Sequence, residues 1–155
     1  MNIKEAQALK KDLEEKLIQV GDFIKNYKPA KSDLTLIERI KEAKTTKGKF
    51  EICCQDRGIS PDESKFNQGD LDTQCYERLK VITLALNEGR KMKIGEDRYN
   101  PYFQKNKGFA YDYCYLSFDY WFAVSPLLQN PTSELAIFSG NEFLEYWEGY
   151  LDPKD

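Results

Sequence analysis

Leu13, Leu17, Val20, Ile24 and Tyr27 follow one another at alternating spacings of four and three, and Ala6 stands one heptad before Leu13. That spacing sets them on one side of a helix and predicts an amphipathic helix over residues 3–27 with an a/d seam. Lys10 interrupts the seam, Gly21 weakens it and Pro29 stops the helix. Leu34, Ile37 and Ile40 mark a second short helix, for which Ser32 and Asp33 are candidate caps. Together the two predict an antiparallel helical hairpin. Its seam either packs on the rest of the chain or joins a second copy, so a homodimer through the N-terminal helix is one expectation.

Thr45 to Lys49 reads as a flexible joint, and Phe50 to Arg57 as a short helix ended by Gly58. Ser60-Pro61-Asp62-Glu63 has the form of a helix start: a cap, a proline at the first helical position and an acid to close a capping box. Asp70 then caps the strongest helix. Leu71, Cys75, Leu79, Ile82 and Leu86 form its apolar stripe, and Gly89 is its stop. Each such buried aliphatic is worth about 1.5–3 kcal/mol, which places this helix at the centre of the core.

Beyond Gly89 the pattern changes period. Phe109, Tyr111, Tyr113 and Tyr115 occupy every second position, so a strand would carry all four rings on one face. Lys105 to Gly108 reads as a hairpin turn, and Pro101 confines any strand through Tyr99–Phe103 to an edge or a loop. A second strand is expected from about Tyr120 to Leu128. Thr132 then caps a final helix with Leu135, Phe143, Tyr146 and Tyr150 inward. The expected fold is α+β: an N-terminal helical hairpin, central helices, and a small antiparallel β-hairpin sheet covered by a C-terminal helix. Residues 1–47 form the hairpin extension and 48–155 the α+β core domain.

Composition narrows what such a domain can do. The 155 residues, 41% hydrophobic and 32% charged, suit a soluble chain with a real core. No apolar run nears the roughly 20 residues of a membrane span, and the first residues carry no secretory h-region. Cys53, Cys54, Cys75 and Cys114 include no C-x-x-C pair. Reduced thiols and residence in the cytoplasm follow. There is no histidine. That excludes Ser-His-Asp and Cys-His catalysis and histidine-ligated metals. No phosphate-binding glycine loop or calcium loop is present, and neither cofactor nor metal is expected. Residues 1–49 hold 12 Lys and Arg against 8 Asp and Glu, whereas residues 50–155 hold 11 against 18. An acidic body argues against duplex DNA, and against single-stranded nucleic acid too.

Candidate binding residues cluster in the ring-rich half, since 16 of the 21 aromatic residues lie between Tyr99 and Tyr150. Tyr111, Tyr113, Tyr115 and Trp121 belong to the expected sheet. Tyrosine suits protein recognition because it pairs a flat apolar face with a hydroxyl at low entropic cost. Buried under the last helix, the same rings would only fill core. Arg90 and Arg98, with Lys91 and Lys93, stand beside Tyr99, Tyr102 and Phe103. Cations next to rings fit a planar anion such as a nucleotide; as a solvated loop they would plug the sheet end. The acids Asp62, Glu63, Asp70 and Asp72 serve better as helix caps than as cation ligands. Asp112 and Asp119 are weak as an acid–base pair.

The blocks Arg78-Leu79-Lys80-Val81-Ile82-Thr83-Leu84-Ala85-Leu86-Asn87-Glu88-Gly89, Tyr99-x-Pro101-Tyr102-Phe103, Gly108-Phe109 and Glu134-Leu135-Ala136-x-x-x-Gly140-x-x-Phe143 resemble an uncharacterised family of small phage- and prophage-encoded proteins of gut bacteria. Phe50, Cys54, Gly58 and Pro61 extend the likeness upstream, so that it covers roughly residues 48–151. Where that family tends to carry a tryptophan and a Pro-Asp-Trp-like turn, Arg90-Lys91-Met92-Lys93-Ile94 stands here, and the N-terminal hairpin is an addition. The resemblance implies a phage origin and a shared fold, and supplies no catalytic residue. The expectation is a non-enzymatic phage accessory protein that binds a host protein, such as an inhibitor of a defence factor. The alternative is a sponge for a small nucleotide-like anion.

Overall fold

The computed structural model describes residues 3–26, 34–93, 95–101, 103, 114–116 and 125–153. They divide into two units, Met1–Leu34 and Thr35–Asp155. The first unit contains helix α1, Ile3–Asn26. Leu9, Leu13, Leu17, Ile18 and Val20 are exposed on it, Leu17 by 76%. Its charged side is tied by pairs one turn apart, Lys10 to Glu14 at 3.8 Å and Lys16 to Asp12 at 2.8 Å. Exposed pairs of this kind stabilise a helix by only about 0.3–0.5 kcal/mol each.

The second unit is built on helices. Helix α2, Leu36–Glu42, starts at a capping box. The Thr35 N–H donates to Glu38 Oε2 at 2.7 Å, and the Glu38 N–H donates to Thr35 Oγ1 at 3.3 Å. Thr35 thus caps this helix, and the expected caps Ser32 and Asp33 lie outside the described residues. Helix α2 packs on α3, Thr46–Arg57. The supposed joint at residues 45–49 is the first turn of α3: Thr45 Oγ1 accepts from the Gly48 N–H at 3.0 Å. Gly58 ends the helix at φ 65°, the left-handed conformation that costs glycine least.

The helix start expected at Ser60–Glu63 does not propagate. Pro61 and Asp62 form a turn, followed by one 3₁₀ turn at Ser64–Phe66 that buries Phe66. Helix α4, Leu71–Leu86, follows. Its stripe is buried at Cys75, Leu79, Ile82 and Leu86, while Leu71 at its start is exposed. Val81, Thr83 and Ala85 are buried as well, so α4 is enclosed on far more than one face. It packs against α3, against the helix Leu144–Leu151, and against the 3₁₀ turns at Ser64–Phe66 and Pro126–Leu128. It ends at Asn87, and Gly89 turns the chain at φ 81° with the Arg57 guanidinium lying where a Cβ would stand.

Here the α+β expectation is overturned. The described residues are mostly helical, and their strand content is two short pieces. Strand β1, Tyr99–Pro101, pairs antiparallel with β2, Cys114–Leu116, in the register Tyr99 to Leu116, Asn100 to Tyr115 and Pro101 to Cys114. A single bridge adds Asn130, with Tyr99 and Asn130 exchanging N–H···O bonds of 2.9 and 2.8 Å. Pro101 carries no N–H, which leaves the pairing short of a donor. Most of the alternating segment, residues 109–113, lies outside the described residues, as do residues 120–124. The end of the expected second strand is a 3₁₀ turn, Pro126–Leu128, where Ser125 Oγ accepts the Leu127 N–H and Pro126 takes the first helical position.

The final helix is two helices. Thr132 Oγ1 accepts the Leu135 N–H at 3.3 Å and opens α5, Ser133–Glu142. The chain breaks at Phe143 and resumes as α6, Leu144–Leu151. Phe143, at the break, and Tyr146 and Trp147 just after it are all buried. Tyr146 meets Phe50 edge-on at 6.0 Å, and Phe50 meets Phe66 at 5.0 Å, which links α3, the 3₁₀ turn and α6 through rings. Trp147 is fully buried, and its indole N–H donates to Ser139 Oγ at 3.2 Å across the break. Lys49 of α3 is tied to Glu142 of α5 at 2.7 Å.

Trp147 and Ser139 give a test of this arrangement. Trp147→Ala is expected to cost about 3–5 kcal/mol in a urea titration. Ser139→Ala leaves the indole N–H unpaired in the core and is expected to cost about 1–3 kcal/mol. A Ser139→Ala midpoint equal to the parent's would show that the bond does not fasten the two helices.

Candidate functional site

Among the described residues of the second unit, a larger and a smaller cleft differ in charge. The larger, about 600 Å³, runs between α4 and α6. Glu51, Asp62, Glu145, Glu148 and Asp152 line it against Lys47 and Arg78. Arg78 is already engaged: it donates to Asn67 Oδ1 at 3.1 Å and lies 5.5 Å from the Tyr146 ring centre. Gly149 brings α6 so close that a Cβ there would stand 2.5 Å from Cys75 Sγ. The buried polar side chains without a partner do not line this cleft.

The smaller cleft, about 450 Å³, is the more selective in its chemistry. It runs along the second half of α4 and is closed by the segment that begins at Pro126. Val81, Leu84, Met92 and Leu127 give it apolar walls. Lys65, Lys80, Arg90 and Lys91 line it, with Glu77 the one carboxylate among its lining residues. Most of these cations have a partner. Lys80 reaches Glu77 at 2.6 Å, Lys65 reaches Glu63 at 2.7 Å and Arg90 reaches Glu96 at 2.7 Å. Among the described residues Lys91 has no carboxylate within 4.0 Å.

Three polar side chains in the lining are buried and have an unanswered oxygen: Thr83 Oγ1, Asn87 Oδ1 and Gln129 Oε1. Their residues are 2%, 6% and 3% exposed. The geometry has a local cause. Thr83 and Asn87 lie one turn apart at the end of α4 and so share a side of it. Asn87 Nδ2 donates to the Gln129 carbonyl oxygen at 2.9 Å, which fastens the end of α4 to the segment after the 3₁₀ turn. The same bond turns Asn87 Oδ1 away from that carbonyl. An unpaired buried acceptor costs about 1–3 kcal/mol, so three around one cleft is a concentrated expense.

Of the described residues expected to bind, Arg90 alone lines this cleft. It is exposed, and Glu96, which also accepts the Lys93 N–H at 2.8 Å, closes a turn around it. Those bonds, the backbone one first, hold the Glu96 carboxyl below the usual range. Arg98 is half-buried, with Nε enclosed and unpaired. Tyr99 is half-buried in β1. Phe103 packs on Trp147 at 5.5 Å and belongs to the border of the core. Tyr115 stands opposite Asn100 in β2, and its side chain lies outside the described residues, as do Tyr102, Tyr111, Tyr113 and Trp121. The expected neighbourhood of cations and rings therefore contributes Arg90, and Lys91 beside it, to a site whose other members are polar residues of α4 and of the segment before Pro131. Thr83, Asn87 and Gln129 were missed. A polar pair four apart, Thr83 and Asn87, in the apolar stretch that begins at Val81 was the available signal.

The three described thiols are not part of a reactive centre. Cys53, Cys54 and Cys75 are buried and unpaired. Burial, and secondarily the neighbouring Cys54, pushes the Cys53 thiol up to about 12. Burial pushes Cys54 up to about 11 and Tyr146 up to about 12. Thiolate is the nucleophilic form, so Cys53 and Cys54 are inert near neutral pH. No group of three or more Asp, Glu or Cys among the described residues is placed to hold a metal ion. No helix among them is long and apolar enough to cross a membrane. No family model matches the chain, nor does any curated protein or solved structure.

The raised thiols make stability fall in alkali. Below the ordinary thiol value of 9.0 both folded and unfolded chains keep these protons, and the full stability is present. Between 9.0 and about 12 the unfolded chain releases protons that the folded chain retains, so stability is lost as pH rises. Urea midpoints measured at pH 8 and pH 10 are expected to fall, and Cys53→Ala is expected to lessen the fall. Rapid modification of Cys53 by a thiol reagent in the folded protein would contradict its sealing.

Proposed function

We propose that the protein is a non-enzymatic binding protein and that the 450 Å³ cleft takes a small anionic, nucleotide-like ligand. One observation carries the reading: unanswered buried oxygens at Thr83, Asn87 and Gln129 share a cleft with four cationic side chains. The cations suit a phosphate or carboxylate, the apolar walls suit a flat ring, and the oxygens suit its donors. A sequence without histidine, and protonated thiols at Cys53 and Cys54, support a site that holds rather than transforms. With the phage origin that the resemblance implies, the reading assigns the protein to the host cytoplasm and its purpose to sequestering a host molecule.

Contact with a protein is a second reading, favoured by α1. Leu13, Leu17 and Val20 keep the a/d spacing and are exposed, as is Leu9. A second copy of this chain is the occupant such a seam suits, and a host protein with an apolar groove is the other.

Thermal denaturation with a panel of nucleotides and inorganic phosphate separates the readings. A ligand at 100 times its dissociation constant adds about 2.7 kcal/mol, a rise of several degrees. Lys91→Glu is expected to remove the rise, and a flat panel would sink the ligand reading. For the second, light scattering on the whole chain is expected to show a dimer that Leu17→Glu dissociates. A monomer at high concentration would rule out self-association.

A further inference from the structure

We infer that the smaller cleft selects for an amino group: among nucleotide-sized anions it takes those whose base carries an exocyclic amine. This rests on the ligand-binding reading and goes beyond it by naming what the buried oxygens are for.

Asn87 anchors the selectivity. Its Nδ2 donates to the Gln129 carbonyl oxygen at 2.9 Å. Turning the carboxamide over would set Oδ1 against that carbonyl, oxygen to oxygen. The orientation is therefore fixed by chemistry, and Oδ1 can only accept. Asn87 is 6% exposed and this oxygen has no partner. Gln129, from the opposite side, adds a second unpartnered oxygen, and its carboxamide makes no hydrogen bond among the described residues. All three oxygens are enclosed in this structure, so a ligand would reach them by displacing the Gln129 side chain. Thr83, 2% exposed, contributes a hydroxyl able to accept or donate.

Rim and floor thus ask for opposite things. Lys65, Lys80, Arg90 and Lys91 favour negative charge. The floor oxygens repel it and want N–H donors. A polyamine satisfies the floor and is refused by the rim; inorganic phosphate satisfies the rim and gives the floor nothing. A molecule with an anionic end and a neutral amino-bearing ring satisfies both, and Val81, Leu84, Met92 and Leu127 supply apolar contact for the ring. Adenosine and cytidine monophosphates meet this description. Inosine and uridine monophosphates put a carbonyl oxygen where the amine would be, against an acceptor that cannot flip.

Titration calorimetry on the whole chain with these four nucleotides and with inorganic phosphate tests the inference without disturbing the core. The expected result is that adenosine monophosphate binds at least about tenfold more tightly than inosine monophosphate, and cytidine more tightly than uridine, since a site with buried polar groups rejects analogues that leave them unpaired. Lys91→Glu, at an exposed rim position, is expected to weaken the amino nucleotides about tenfold or more. Equal binding of all four, lost in Lys91→Glu, would overturn amino selection and leave an anion-binding cleft. Inorganic phosphate binding as tightly as adenosine monophosphate would do the same. Binding untouched by Lys91→Glu would place it elsewhere and overturn the inference. No binding by any of the five would remove the ligand reading and this inference together.

Discussion

Enclosure of α4 is the constraint from which the rest follows. Leu79 and Ile82 are fully buried, and Val81 and Ala85 on other sides of the helix are closed off nearly as well. A helix surrounded in this way must be met by partners on several fronts, and α3, α6 and the two 3₁₀ turns supply them. The Phe66 turn covers one side, and Tyr146 and Trp147 reach in from α6. Enclosure has a cost at the polar positions. Thr83 and Asn87 go inside with the rest of the helix, and one bond, from Asn87 to the Gln129 carbonyl, answers part of their demand.

Much of this helical frame was legible in the sequence. The stripe from Cys75 to Leu86 lies where its spacing put it, Gly58 ends α3 in the left-handed conformation, and Thr132 caps α5. These features depend on near neighbours, which a sequence displays directly. The errors arose where longer-range packing decided. Pro61 sits in a good helix-start pattern, yet the chain makes one 3₁₀ turn that delivers Phe66 to the core. Phe143 lies on the expected inward face of a single helix, but the chain breaks there and continues as α6. The α+β expectation leaned on alternating rings, and alternation says which side a ring takes only once a strand exists.

The candidate site was less legible, for a related reason. Arg90 and Lys91 announced themselves as charge beside aromatics, and they do line a cleft. What gives that cleft its character is an amide oxygen left over after its own nitrogen has been used, and such a remainder is visible only when both ends of the Asn87 to Gln129 bond are in place. The two residues are 42 apart, and no local pattern couples them. The larger acidic cleft shows the contrast: Arg78, its one long basic side chain from α4, is spoken for by Asn67 and the Tyr146 ring.

The ring contact between Phe50 and Tyr146 also bears on how the chain is made. A ribosome adds roughly 5–20 residues per second, so Phe50 leaves it about 5–20 s before Tyr146 does. Once Phe66 has followed, the two have each other for the rest of that interval but not the ring of Tyr146. Holdase chaperones would have that interval in which to engage the nascent chain, and synthesis paused upstream of residue 144 would lengthen it.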